Sequence, residues 1–438
     1  MVPPPVCQAA APWRAGVASH SFPIDKGTPM AGYVARAGSS LGTLDPLLVT
    51  ALVVELGDAR VTFIAVDLVA VDAELTDLIS RELGTELGRL LLCASHTHSG
   101  PAGIVPRLHP SQPITTDPVL RDRFVGTCVE VVRTAHLSIG PVSVRLGQAP
   151  TVGVAGDRNV PTRVLDNTLT TLSVHGINDS LLALVVHFAV HPTILGAGNR
   201  LISADLVGGV RRGLASRLNS VEGPPILFVN GAAGDVSTRF TRRGQEPAEV
   251  DRLGDILANA VLVALADARP LAARLVSGTT SVILEPRTLG GAIPLFTPTS
   301  VAVESDLAET NAATDRIDLT RREGSQLLAG FVEQETSTAV EITAFLMGEV
   351  ALVTIPGELL ASLGADLRVR SATPETLVFG YTNGYVGYLV GEDDSESYEA
   401  LASRFGPEAG PRVVDAAVSL VNRLEGHAEA DLPERVDQ

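Results

Sequence analysis

The chain has 438 residues, of which 45% are hydrophobic, so it can bury a large core. Its net charge of −17 argues against binding to nucleic acid, whose phosphates attract basic surfaces, and against docking on an anionic membrane face. No stretch of about 18 residues is both apolar and uncharged, which argues against a transmembrane helix.

The N-terminal residues and the cysteines indicate where the protein is located and whether it contains disulfides. The first residues, MVPPPVCQAAAPWRAG, lack a basic region followed by an apolar one, so we expect no secretory signal and a cytoplasmic protein. Cys7, Cys93 and Cys128 are odd in number, widely spaced and free of any CxxC pattern. Neither a disulfide framework nor a thiolate zinc site is therefore indicated, and Cys93, in the apolar run LLLCAS, is interpreted as a buried structural thiol.

Short apolar runs alternate with amphipathic stretches along the chain. This pattern predicts an α/β protein with a mixed, largely buried β-sheet that is flanked by helices. In chain order the prediction comprises strands Leu48–Glu55 and Val61–Val66, helix Glu74–Leu83, strand Leu90–Ser95, helix Asp117–Leu137, strand Leu181–Phe188, helix Asp205–Leu218, strand Pro225–Val229, helix Pro247–Ala266, two strands within Ala339–Ile355 joined at Gly348-Glu349, helix Glu358–Arg370 and strand Leu377–Gly380.

The segment Pro286–Thr336 looks least like a core. It carries Gly290-Gly291, several prolines and then the charged stretch Glu304–Glu323. We interpret it as a surface excursion or lid over the active site. No linker rich in Pro, Gly and Ser divides the chain, so residues 1–438 are predicted to form a single catalytic domain.

Several predicted strands run directly into small polar clusters. In open α/β sheets, ligands bind beyond the carboxyl ends of the strands, so these clusters are expected to share one site. The clusters are His96-Thr97-His98-Ser99-Gly100-Pro101, His191-Pro192-Thr193, Gly231-Ala232-Ala233-Gly234-Asp235-Val236-Ser237, Pro356-Gly357-Glu358 and Tyr381-Thr382-Asn383-Gly384-Tyr385.

The histidines are the first candidates for chemistry. His96 and His98 are two residues apart at a strand end, so their rings point to the same face and can form half of a zinc site. The alternative is a pair of hydrogen-bonded histidines at the rim. His187 and His191 are four apart, but Phe188 takes the place of the glutamate of HExxH and Pro192 would end a helix. We therefore expect His191 at a strand end and His187 deeper, in the core or behind the site.

Other candidate residues follow the later strands. Glu358 is predicted to open a helix, where a carboxylate gains from the helix dipole, and it is either a ligand or an ordinary first-turn glutamate. Four of the five tyrosines lie in one short window. They are either packed at a strand edge or act as a phenolate ligand and as donors to an oxyanion. These are Tyr381, Tyr385, Tyr388 and Tyr398.

Ser237 does not lie in a GxSxG turn, so a hydrolase triad is not indicated. It is a candidate nucleophile, oxyanion donor or plain turn serine. Asp235, in the same loop, is expected to orient its neighbours.

Taken together in order, these motifs resemble the neutral/alkaline non-lysosomal ceramidase family, over about 400 residues. The resemblance rests on the ordered set rather than on any single motif. It runs through Ala15-Gly16-Val17, Met30-Ala31-Gly32-Tyr33, Ser95–Pro101, Ala189–Thr193, Ser203-Ala204-Asp205, Gly231–Ser237, Pro356-Gly357-Glu358 and Asn383–Tyr388.

The resemblance implies a catalytic zinc, Zn²⁺, and a role for each matching residue. The implied metal ligands are His96, His191, Glu358 and Tyr388, with Tyr385 as the runner-up for the last position. The implied catalytic and pocket residues are His98, Asp235, Ser237, Arg158, Tyr385 and Tyr398.

Some features depart from the family pattern. Thr238-Arg239 follows the signature serine where the family has Pro-Asn. A signal sequence and an additional C-terminal β domain are also not seen, so the resemblance implies a short, soluble bacterial member and supports the chemistry more than ceramide itself.

These observations lead to a zinc-dependent hydrolase that cleaves the amide bond of a small N-acyl substrate, either ceramide-like or smaller and soluble. We expect no nucleic-acid partner and no membrane span. Two alternatives stay open at this point: an acyltransferase or cyclase that forms an amide, ester or lactone at the same zinc site, and a binding protein with a degenerate, metal-free site.

Overall fold

The computed structural model describes most of the chain, with side chains up to residue 426. The described ranges are residues 13–84, 88–108, 115–218, 223–287, 336–394 and 397–430. Of the predicted excursion Pro286–Thr336, residues 288–335 lie outside the described residues, so it stays a prediction.

Strands dominate the described chain. The strands are β1 (Arg14–Ser21), β2 (Gly42–Thr43), β3 (Leu48–Leu56), β4 (Ala59–Val66), β5 (Arg89–Ala94), β6 (Gly140–Pro150), β7 (Gly156–Asp157), β8 (Thr168–Gly176), β9 (Leu181–Phe188), β10 (Leu201–Ile202), β11 (Ile226–Asn230), β12 (Val236–Ser237), β13 (Arg269–Pro270), β14 (Leu275–Leu284), β15 (Thr338–Met347), β16 (Val350–Thr354), β17 (Glu358–Leu359), β18 (Glu375–Phe379) and β19 (Tyr388–Leu389). The α-helices are α1 (Ala73–Leu83), α2 (Pro118–Leu137), α3 (Leu206–Arg217), α4 (Pro247–Ala266), α5 (Ala361–Arg370), α6 (Tyr398–Ala402) and α7 (Ala409–Ala430).

Two main sheets organise these strands. The larger sheet has the order β11-β9-β8-β6-β1-β3-β4-β5, with β13 paired to β6, and the smaller has the order β14-β15-β16-β18. Both sheets are mixed, since β4 with β5, β9 with β11 and β16 with β18 run parallel while their other pairs are antiparallel. The prediction of a mixed sheet flanked by helices is confirmed.

The alternation of side chains along each strand places the sheets face to face. On β3, Ala51 and Val53 face the core shared with helices α1 to α4, while Leu52 and Val54 face a second apolar layer. That second layer joins the two sheets, for example where the rings of Phe63 and Phe379 lie 6.4 Å apart. Helices α5 and α7 cover the outer face of the smaller sheet. The layers therefore run helices, large sheet, small sheet, helices.

Several predicted boundaries agree with the structure because local signals determine them. Asp117 accepts a hydrogen bond from the backbone N–H of Leu120 and caps α2, whose first residue is a proline. Strand β9 and helix α4 begin and end at the predicted residues, and Gly348, at φ +60°, turns β15 into β16.

Helix α5 corrects one prediction. Glu358 does not open a helix: it lies in the short strand β17, and the helix begins at Ala361. The backbone N–H of Glu358 donates to the carbonyl of Gly387 (2.9 Å), so a partner some thirty residues away takes the group that a helix would have left free.

Three antiparallel strands of the larger sheet, one edge strand of the smaller and the long final helix were not predicted. These are β1, β6, β8, β14 and α7. Strands such as β1 are half-exposed and lack a continuous apolar run. Among the described residues, no helix is long and apolar enough to cross a membrane.

Candidate metal centre

Histidines 96 and 191 emerge just after two strands of the large sheet. His96 follows β5 and adopts a left-handed backbone (φ +69°), an uncommon conformation for a residue with a side chain. Its backbone N–H donates to Leu68 and its Nδ1–H to the carbonyl of Val69 (2.6 Å). His191 follows β9, and both its N–H (2.8 Å) and its Nδ1–H (3.1 Å) donate to the carbonyl of Val236. These bonds fix the orientation of both rings and leave the Nε2 atom of each ring available to another partner.

The remaining ring nitrogens converge on one carboxylate. Nε2 of His191 lies 3.1 Å from Oε2 of Glu358, and Nε2 of His96 lies 3.5 Å from the same oxygen. Nε2 of His98 lies 3.2 Å from Nε2 of His96. The potential ligand atoms of the three imidazoles lie within 4.8 Å of one another. The structure thus unites four residues that are separated by up to 262 positions in the sequence.

Protonation makes this arrangement suitable for a cation. Burial lowers the pKa of both His96 and His191 to about 3, even though Glu358 acts on His96 in the opposite direction. Both imidazoles are therefore neutral near pH 7, and with Nδ1–H donating to a carbonyl, Nε2 presents a lone pair. Within the described part of the chain, Nε2 of His191 has no hydrogen-bond partner. Lone pairs that face a carboxylate oxygen repel it unless a proton or a metal ion lies between them, and two imidazoles with a carboxylate are a typical zinc ligand set.

Two tyrosines hold Glu358 in place. The hydroxyl of Tyr385 donates to Oε1 of Glu358, and that of Tyr381 lies 3.4 Å from Oε2. The ring of Tyr381 also stacks on His96, with centroids 4.1 Å apart. Burial and the neighbouring Glu358 raise the pKa of both phenols, so they are donors here. Tyr381 was noted only as one of the tyrosine cluster, and its left-handed backbone (φ +53°) was not foreseeable from the sequence.

Tyr388 lies beside Glu358 for a different reason. Strands β17 and β19 pair in parallel, and Glu358 and Tyr388 are direct partners in that register. The hydroxyl of Tyr388 accepts a hydrogen bond from Nη2 of Arg158 (3.0 Å). Burial raises the pKa of Tyr388 well above its ordinary value, although Arg158 acts in the opposite direction. Of these three tyrosines, Tyr388 is the one whose hydroxyl faces a guanidinium.

Arg158 is itself held by a residue for which no role was predicted. Nε of Arg158 donates to Oε1 of Glu399 (2.5 Å), and Asn159 donates to Oε2 (2.7 Å). The guanidinium lies between the rings of Tyr388 and Tyr398, at 5.6 and 5.2 Å from their centroids. Glu399 is completely buried, and Arg158 lowers its pKa against the effect of burial. The neighbouring Tyr398 was the only signal in the sequence that could have pointed to it.

Replacing Glu399 by glutamine should lower the free energy of unfolding by about 3 kcal/mol or more, because a buried Arg158 would lose its countercharge. Denaturant unfolding monitored by circular dichroism would measure the change. Asp415→Asn is the matched control, since Asp415 pairs with Arg370 at an exposed site and should cost less than about 1 kcal/mol. Equal, small losses in both variants would contradict a structural role for Glu399.

The loop after β11 brings Ser237 to the same region. Ser237 forms an isolated parallel bridge with His191, is almost fully buried, and accepts a hydrogen bond at Oγ from the N–H of Arg239 (3.2 Å). Asp235 turns its carboxylate elsewhere: Oδ1 accepts from the N–H of Ala361 (2.8 Å) at the start of α5. Burial raises the pKa of Asp235 to about 7. Asp235 therefore orients its loop and is not among the converging residues.

His187 lies deeper on β9, away from the converging groups. Its Nε2–H donates to the carbonyl of Val378 (2.8 Å), and its ring stacks with Phe379 at 6.0 Å. Cys93 and Cys128 are buried and unpaired, and burial raises the pKa of the Cys93 thiol to about 12. The interpretation of Cys93 as a structural thiol agrees with this burial.

The comparisons with known proteins agree with this architecture. Residues 25–241 match the family model described as neutral/alkaline non-lysosomal ceramidase, N-terminal. The fold is similar to that of neutral ceramidase from Pseudomonas aeruginosa, with a TM-score of 0.76, 17% identity, and coverage of 96% of this chain and 75% of that chain. It is also similar to a ceramidase complexed with C2, with a TM-score of 0.74, 16% identity, and coverage of 98% and 77%. At such identities the structural likeness establishes the fold. The match over residues 25–241 assigns the chain to the neutral/alkaline non-lysosomal ceramidase family.

Proposed function

We propose that the protein is a zinc-dependent hydrolase that cleaves the amide bond of an N-acyl substrate. The observation that carries the proposal is the convergence of the lone-pair nitrogens of His96 and His191 on the carboxylate of Glu358, at 3.5 and 3.1 Å. His96, His191, Glu358 and Tyr388 would hold the metal. Family membership supports hydrolysis of an amide.

Tyr388 is preferred to Tyr385 as the fourth ligand on electrostatic grounds. A phenolate is stabilised by a nearby cation, and Arg158 donates to the hydroxyl of Tyr388 (3.0 Å). Tyr385 instead donates its proton to Glu358 and stays a phenol that orients this carboxylate. Second partners of this kind fix the direction of a metal ligand.

Zinc bound in this site would supply a Lewis acid for the amide carbonyl and for an attacking water. His98, adjacent to His96 and neutral because burial lowers its pKa, is placed to accept or return a proton. Ser237, whose backbone is bridged to that of His191, would donate a hydrogen bond from its hydroxyl to the developing oxyanion. A serine nucleophile with an acyl-enzyme is the mechanistic alternative. Water adds across the C–N bond, so the products are a carboxylic acid and an amine.

Arg158, Tyr385 and Tyr398 would bind the substrate. The guanidinium lies between two aromatic rings and is anchored by Glu399, so its position is fixed before a substrate arrives. Asp235 contributes indirectly, because its carboxylate holds the start of α5 and its carbonyl accepts the backbone N–H of Arg158 (2.9 Å).

An assay of N-acyl amines with the zinc-loaded protein, with the free amine quantified, tests the proposal. Release of amine that stops on chelation and returns with zinc is expected. The alternative of an acyltransferase or cyclase is not favoured by the family match. It would be supported only if the loaded protein joined an acyl donor to an amine without hydrolysing the amide. A metal-free binding protein would release no amine.

Ceramide embedded in vesicles should be a poorer substrate than a soluble N-acyl amine. The net charge of −17 repels an anionic membrane surface, which lowers the local concentration of enzyme there. Initial rates on ceramide in anionic vesicles, in neutral vesicles and on a soluble N-acyl amine would be compared at equal acyl concentration. Equal efficiency on vesicular ceramide and the soluble amide would contradict the expectation.

A further inference from the structure

A compact cavity of about 220 Å³ lies against the two histidines of the HTH motif. Leu68 and Val69 form part of its wall, and their carbonyls accept the N–H and the Nδ1–H of His96. On another side Gly32 packs so tightly on His98 that a Cβ atom would lie 2.6 Å from it. The cavity therefore borders the residues that hold His96 and His98.

The wall of the cavity is chiefly apolar and firmly held. Met30, Ala70, Ile104 and Val105 are among its lining residues. Tyr33 is fixed on three sides, since its hydroxyl donates to the carbonyl of Leu195 (2.9 Å), its ring meets His98 edge-on at 4.9 Å, and the guanidinium of Arg36 lies 4.9 Å from its centroid. A wall held in this way cannot move aside cheaply to admit a larger group.

The volume limits what can enter. Pockets for drug-sized ligands usually span about 300 to 1,000 Å³, and an apolar cavity of about 150 Å³ is enough for benzene. A cavity of about 220 Å³ therefore suits a short or branched hydrocarbon group or a single ring, and is too small for a long alkyl chain.

We propose that this cavity receives the acyl group of the substrate and restricts the enzyme to short apolar acyl groups, of about the size of butanoyl, hexanoyl or benzoyl. This inference rests on the proposed amide hydrolysis. Burial of the apolar acyl group would contribute binding energy close to the reacting carbonyl, whereas an oversized chain must leave methylene groups in water or distort the wall.

The test is a series of amides that share one amine and differ in the acyl group, from acetyl to palmitoyl. The zinc-loaded wild type should show the highest kcat/KM at butanoyl to hexanoyl and lose at least about 10-fold at palmitoyl. Val105→Trp, which fills the cavity, should shift the optimum towards acetyl. Met30→Ala, which enlarges it, should shift the optimum towards longer chains. Ile177→Trp, an equal insertion at an exposed turn, should leave the profile unchanged.

The outcomes separate the two proposals. Release of amine with an optimum at palmitoyl, unmoved by either cavity variant, would overturn the chain-length inference and leave the amide hydrolysis standing. Release of amine from no member of the series would overturn the hydrolysis and this inference with it. Opposite shifts in two variants with wild-type circular dichroism cannot arise from general destabilisation, so they would support the cavity as the acyl site.

Discussion

His191→Ala should lower zinc content from about one ion per chain to a small fraction and reduce kcat/KM by about 10³-fold or more. The physical reason is that, of the imidazole nitrogens of His96 and His191, Nε2 of His191 lies nearer to the carboxylate of Glu358. Its removal would take away one of the four proposed metal ligands. Elemental analysis of the purified protein, followed by zinc titration and amine release, would measure both effects.

His187→Ala is the matched control for this experiment. His187 lies on β9, four residues before His191, is also buried, and bonds to Val378 instead of the converging residues. It should lose stability through the cavity it creates and keep its zinc. Full metal content and activity in His191→Ala would refute the assignment, and equal zinc loss in both variants would show that unfolding, not ligation, is being measured.

Ser237→Ala should keep its zinc and lose about 10²-fold or more in kcat, the usual scale for one oxyanion donor or proton-transfer group. A serine hydroxyl is a weak zinc ligand next to imidazole and carboxylate, so removing it should not release the metal. Metal analysis and steady-state kinetics on the same preparation would separate the two effects. The bridge between Ser237 and His191 is the structural basis for the expectation.

Two further measurements test the role of Ser237. Ser173→Ala, which removes a buried hydroxyl from β8, should show what a serine deletion costs away from the site. A wild-type rate in Ser237→Ala would show that Ser237 has no catalytic role and is an ordinary turn serine. An acyl adduct on Ser237, trapped with a slow substrate and detected by mass spectrometry, would instead identify it as the nucleophile.

Much of the fold could be predicted because local signals determine it. Continuous apolar runs such as Leu181–Phe188 specify buried strands, and caps such as Asp117 followed by Pro118 specify where helices begin. Strands that are buried on alternating or broken patterns, such as β1 and β14, carry a weaker signal. Their stability comes from partners elsewhere in the chain, which periodicity does not reveal.

The sequence indicated which polar clusters lie close together, but not how the structure holds them there. The polar clusters after β5, β9 and β11 do meet, although β5 and β11 lie at opposite edges of the larger sheet, because the sheet bends until β11 contacts β4 and β5. Glu358 was expected at a helix start, but its backbone N–H donates a hydrogen bond to the carbonyl of Gly387 and the residue lies in a short strand. The ion pair of Arg158 with Glu399 joins residues 241 positions apart, and no local pattern specifies such a partner.

The parallel pairing of Glu358 with Tyr388 has a consequence for how the protein matures. Residues 25–241, the part that the family model matches, contain His96 and His191 but neither Glu358 nor Tyr388. A chain emerging from the ribosome therefore presents the two imidazoles before the carboxylate and the phenol of the proposed set have been synthesised. With the proposed ligand set, tight binding of the ion would require the finished polypeptide, so a nascent or truncated chain would be expected to bind zinc only weakly.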